Sequence, residues 1–88
     1  MTNVDEGGRP VRPEDFVQSV GRALRVLEVV GATPGLPVKT IARRCDLNIS
    51  TTYHLVRTLA YEGYVERRSD GTYVPTPAAT RWGESASR

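Results

Sequence analysis

Ser50, His54, Arg57 and Tyr61 follow one another at steps of four, three and four residues, so a helix through them carries all four on one face. Together they offer a hydroxyl, an imidazole, a guanidinium and a phenol. That set can hydrogen-bond to flat polar edges and hold anionic groups. Thr52, Leu55, Val56 and Leu59 fall on the opposite face, so the same helix has an apolar side to bury. No paired carboxylates, nucleophile–base set or phosphate-binding glycine loop accompanies the stripe, and enzymatic activity is not expected. His54 has no cysteine or carboxylate at ligand spacing, so neither a metal nor a cofactor is expected. Cys45 is the single cysteine, which excludes an internal disulfide and a multi-cysteine metal site. It lies on an apolar helical face and is expected in the core.

The 88 residues, 39% hydrophobic and 25% charged, suffice for one small globular domain with a thin core. The net charge is only +2, but between Ser19 and Arg68 eight basic side chains face four acidic ones. The middle of the chain therefore favours an anionic partner. No stretch suits a membrane span or a signal peptide, so a cytoplasmic location is expected.

The elements that must position the stripe can be read from punctuation and period. Residues 1–15 hold Gly7, Gly8, Pro10 and Pro13 and read as a flexible arm, with Phe16 and Val17 stapling it to the first helix. Ser19 is the expected N-cap of that helix, which runs to about Val30 and ends at Gly31. Its inward face is expected to be Val20, Ala23, Leu24, Leu27 and Val30. Thr33-Pro34-Gly35 is a turn. Pro37 suits the first turn of a second helix, with Val38, Ile41, Ala42 and Cys45 on one side. Asn48 caps a third helix over about 49–62, and Gly63 stops it. The period then shortens: Tyr64–Arg67 and Thr72–Val74 read as strands joined at Ser69-Asp70-Gly71, with Pro75 ending the hairpin. Thr76 and Pro77 can open a last short helix through Trp82, followed by a frayed Ser85–Arg88.

This order is that of a winged helix-turn-helix: mainly α, three helices plus a two-stranded wing, with a short C-terminal linker helix. Residues 16–75 make the domain, 1–15 the arm and 76–88 the linker start and tail. Internal spacing supports it: Ala42 is small where two helices approach, Asp46 tolerates the left-handed turn, and Leu47 plugs the core. A major groove about 12 Å wide admits one helix, and helix N-termini favour phosphate. Ser50 and Thr51 either donate to DNA there or only stabilise the helix start. Tyr53 can touch a thymine methyl or a phosphate. Arg57 can read guanine or hold a phosphate, and His54 either joins it or is a plain surface residue. Tyr61 either joins the stripe or packs on the hairpin. Tyr64 and Tyr73 are expected as hairpin core or cross-strand partners, and Trp82 as an anchor of the last helix. Arg67 and Arg68 at the wing suit the minor groove or flanking backbone, and Lys39, Arg43 and Arg44 suit phosphates beside the second helix.

The residues also resemble a known family. Ser19-Val-Gly-Arg-Ala-Leu-Arg-Val-Leu-Glu28 is similar to the opening helix of IclR-type transcriptional regulators. Ile41-Ala-Arg-Arg, Leu47, Ser50-Thr51 and Leu55-Val-Arg-Thr-Leu59 resemble their helix-turn-helix. Glu62-Gly-Tyr-Val-Glu-Arg67 and Asp70-Gly-Thr-Tyr73 resemble their wing. The likeness covers Ser19 to Val74. It implies a bacterial regulator that binds operator DNA as a dimer or tetramer, with DNA-reading positions at Ser50, Thr51, Tyr53, His54 and Arg57. It also implies a C-terminal effector domain, which is not within these residues. The chain departs from the pattern at Asp46 (commonly Gly), Thr52 (commonly aliphatic), Tyr53-His54 (commonly His-Arg), and Pro75, Ala78 and Ala79 (commonly larger apolar residues).

The function expected is therefore sequence-specific binding of double-stranded DNA. The alternatives are a winged helix used as a protein-interaction module, and DNA binding without sequence preference. With the first helix spending its apolar face on the core, the free chain is expected to be monomeric or weakly dimeric. Two copies are expected to pair on DNA.

Overall fold

The computed structural model describes residues 13–79. The expected arm up to residue 12, the Trp82 anchor and the frayed tail lie outside the described residues. The elements run α1 (Gln18–Ala32), β1 (Leu36–Pro37), α2 (Val38–Cys45), α3 (Ile49–Tyr61), β2 (Val65–Arg67) and β3 (Thr72–Pro75).

The start of α1 differs from expectation. Val17 is the N-cap and no side chain caps the helix, so Ser19 lies within the first turn. Apolar packing sets the entry instead. The Phe16 N–H donates to the Pro13 carbonyl at 3.2 Å, and the Phe16 ring covers Gly21, where an added Cβ would sit 2.6 Å from the ring Cζ. At the other end the helix passes Gly31 and stops at Thr33, which Pro34 forces out of helical geometry. The inward face also differs: Val26 and Val30 are fully buried, while Val20 and Leu24 remain 56% and 55% exposed. Apolar residues cover more than one side of α1, and periodicity alone does not choose between them. The choice is made by α2 and α3, which both pack against it.

Pro37 precedes α2 as its N-cap rather than entering the first turn. Ile41, Ala42 and Cys45 are buried as expected. Asp46 takes the left-handed conformation (φ 55, ψ 46). The Leu47 N–H then reaches the Ala42 carbonyl and the Asp46 N–H the Arg43 carbonyl, the Schellman closure of a helix. Asn48 caps α3 through its Oδ1, which accepts the Thr51 N–H at 2.7 Å. The buried Thr52 hydroxyl donates to the Asn48 carbonyl. Gly63 (φ 88) closes the far end of α3.

The wing is a three-stranded antiparallel sheet of order β1-β3-β2, not the two-stranded hairpin expected. Leu36 pairs with Tyr73 and Pro37 with Thr72. A two-residue strand containing proline carries no periodic signal, and proline is tolerated because β1 is an edge. Tyr64 lies just before β2. Pro75 is the last residue of β3, paired with Val65, so it closes the ladder from within. Val26, Val30, Ile41, Cys45, Val56, Val65 and Tyr73 form one core that joins the sheet to all three helices.

Candidate nucleic-acid interface

The stripe on α3 faces solvent. Ser50, His54 and Arg57 are exposed and Tyr61 is 88% exposed, while Thr52 and Val56 on the opposite side are fully buried. Tyr61 therefore does not pack on the hairpin; it extends the stripe. Thr51 is half-buried at its edge. His54, Arg57, Thr58 and Tyr61 line an open notch of about 350 Å³. Thr58 escaped the reading of the sequence, although its spacing of four from His54 places it beside the stripe. Its hydroxyl donates back to the His54 carbonyl at 3.0 Å. Tyr53 stands on the flank of the face, and the Arg57 guanidinium carbon lies 5.5 Å from its ring centroid.

The bases of α2 divide. Lys39 and Arg43, one turn apart, are exposed on one flank. Arg44 turns the other way and donates from Nη1 to the Thr33 hydroxyl at 3.1 Å. A residue with no DNA role in the sequence reading, Arg25, donates from α1 to the Cys45 carbonyl at 3.4 Å, meeting the C-terminal end of α2 where a cation is favoured. Its partner lies twenty residues away, beyond any local signal. Burial pushes the Cys45 thiol above its ordinary value; the Arg25 charge pulls it back and Glu28 adds to the rise.

At the wing tip, the Arg67 guanidinium lies over the turn, with Nη2 3.6 Å from where a Gly71 Cβ would stand. Arg68 closes the turn through its backbone: its N–H donates to the Thr72 carbonyl and its carbonyl accepts the Gly71 N–H. Both side chains are exposed. The Asp70 carboxylate accepts the Thr72 hydroxyl at 2.7 Å and the Thr72 N–H at 3.1 Å. These bonds hold it below the ordinary carboxylate range, with a smaller contribution from the Arg68 charge. The structure thus gathers His54, Arg57 and Tyr61 at one notch, adds Tyr53 beside them, and sets Arg67 and Arg68 together at a second basic point.

A family model described as the IclR helix-turn-helix domain matches residues 19–69. The chain belongs to the IclR helix-turn-helix family. It is 30% identical over 83 residues to the HTH-type transcriptional regulator BhcR of Paracoccus denitrificans (strain Pd 1222), across 93% of this chain and 30% of that protein. Among solved structures, an IclR family transcriptional regulator from Brucella abortus matches with a TM-score of 0.73 at 29% identity, covering 81% of this chain and 28% of that one. The Agobacterium tumefaciens repressor BlcR matches with a TM-score of 0.69 at 29% identity, covering 82% and 29%. The chain spans about 30% of the length of such relatives. The fold described above is thus the winged helix-turn-helix of IclR-type regulators, and the chain is a DNA-binding domain of a bacterial transcriptional regulator.

Proposed function

We propose that this IclR-type domain reads specific DNA sequences, with α3 in the major groove and residues 64–74 against the backbone or minor groove. Residues 16–75 act as the binding unit. Ser50, Thr51, Tyr53, His54 and Arg57 serve the groove, Arg67 and Arg68 the wing contact, and Lys39 and Arg43 the phosphates beside α2, with Arg44 kept at Thr33. Two copies bind a palindromic operator with half-sites about one DNA turn apart or a multiple of that. The chain catalyses no reaction, uses no cofactor and works in the cytoplasm. The observation that carries this reading is the solvent-facing stripe centred on Arg57, on a helix whose opposite side packs on the core through the fully buried Thr52 and Val56.

Duplexes enriched from a random pool by the chain provide the test. Arg57→Ala is expected to weaken binding to them by about 1–3 kcal/mol with an unchanged circular dichroism melt. Arg68→Ala is expected to weaken binding to all duplexes alike and to flatten the salt slope by about one unit. Equal affinity for enriched and random duplexes would replace the reading with non-specific binding. A protein ligand held without salt dependence, and no duplex binding, would make the domain an interaction module.

A further inference from the structure

Tyr53 belongs to α3 yet stands off the centre of its exposed face, and the residue is 43% exposed. One turn later Arg57 places its guanidinium carbon over that ring, 5.5 Å from the centroid, inside the roughly 6 Å reach of a cation–π contact. The geometry follows from the helix: long side chains lean toward the N-terminus, so a residue at i+4 lies across the residue at i. Among the described residues no carboxylate pairs with Arg57. That distinction matters chemically. A carboxylate would neutralise the cation and take two of its five N–H donors. A ring face attracts the cation and takes none of them. The Arg57 side chain is thus restrained beside the notch of His54, Thr58 and Tyr61 with its charge and its donors unspent.

We propose that Tyr53 is a positioning residue for Arg57: its ring, not its hydroxyl, holds the guanidinium ready for a base edge or phosphate. This rests on the reading of α3 as the DNA-contacting helix and assigns Tyr53 a role within it. The two side chains then act as one unit, and removing the ring matters only while the arginine is present.

The test combines a free-protein and a bound readout. In the free chain, the Arg57 side-chain methylene protons are expected to show an upfield ring-current shift in the NMR spectrum that persists in Tyr53→Phe and vanishes in Tyr53→Leu. With duplexes enriched by the wild-type chain, Tyr53→Leu and Tyr53→Ala are expected to weaken binding about three- to fivefold, the weight of an exposed cation–π contact. Tyr53→Phe should stay within about 1.5-fold of wild type, and the Tyr53→Ala/Arg57→Ala double variant within about 1.5-fold of Arg57→Ala, where nothing is left to position. Equal losses with and without Arg57 would give Tyr53 a DNA contact of its own and overturn the proposal. A loss in Tyr53→Phe as large as in Tyr53→Ala would assign the hydroxyl to DNA and overturn it too. If the wild-type chain enriches no duplex, the DNA reading itself fails and the proposal falls with it, whatever the ring-current shift shows.

Discussion

Asp46 holds the turn between α2 and α3 in a left-handed conformation (φ 55) that side chains with a Cβ adopt at some cost. A short polar side chain lowers that cost without abolishing it, and glycine removes it. Asp46→Gly is therefore expected to keep or raise stability, by up to about 1 kcal/mol, because relief of strain competes with the greater freedom of glycine in the unfolded chain. Asp46→Val is expected to lower stability by about 1–2 kcal/mol, since a β-branched residue fits this conformation worst. Urea unfolding of the three proteins settles the order; a valine variant as stable as the glycine variant would mean that the turn has relaxed out of the left-handed region. The same residue shows what a sequence discloses readily. A left-handed stop after α2, the Asn48 cap and the Gly63 stop each depend on one residue and a few neighbours, so each is visible in the order of residues alone.

Elements held by distant partners were less visible. β1 exists only because Leu36 and Pro37 meet Tyr73 and Thr72, and nothing within two residues announces such a pairing. Ser19 looks like a cap, but the Phe16 ring on Gly21 starts the helix two residues earlier. The site shows the same division. The α3 stripe follows from period alone, whereas Arg44 meeting Thr33 and Arg25 meeting Cys45 depend on how helices pack. Within the wing, the β2–β3 turn has a titratable clasp. The Asp70 carboxyl is depressed by its bonds from Thr72, so the clasp stabilises the turn fully above the ordinary aspartate value of 3.8 and is lost as pH falls through the lower folded value. The Thr72 amide is expected to shift in the NMR spectrum in that acidic window, and Asp70→Asn is expected to abolish the shift while keeping the turn. Persistence of the titration in the variant would move the effect to another carboxyl.

At the scale of the whole molecule, an apolar ridge is left that the core does not use. Val17 at the N-cap and Val20 and Leu24 on α1 are each more than half exposed, and Leu24 also borders a groove with Leu27, Leu59, Tyr64 and Ala79. The expectation of a monomeric or weakly dimeric chain rests on this face being spent in the core and on a linker poor in large apolar residues at Ala78 and Ala79; the first of these does not hold. The ridge is nevertheless short beside the roughly 800 Å² per partner of a stable interface. Pairing through it is expected to be weak in free solution and to become firm once DNA holds two copies together. Sedimentation with and without a palindromic duplex measures this. Leu24→Glu should leave the melt of the free chain intact and reduce the duplex complex from two copies to one. Two copies retained in that variant would place the contact elsewhere.

The sheet order has a consequence for how the chain is made. Among the described strands β3 is the last in sequence and the middle one in space, so neither β1 nor β2 has a partner until Thr72–Pro75 has left the ribosome. Helices α1, α2 and α3, which end at Tyr61, can assemble before then. Translation thus delivers the helical unit first. It finishes the wing in a single late step, which also inserts Tyr73 into the core and anchors the segment leading into α2. A chain cut after Gly71 would carry the whole of α3 with no paired wing beside it.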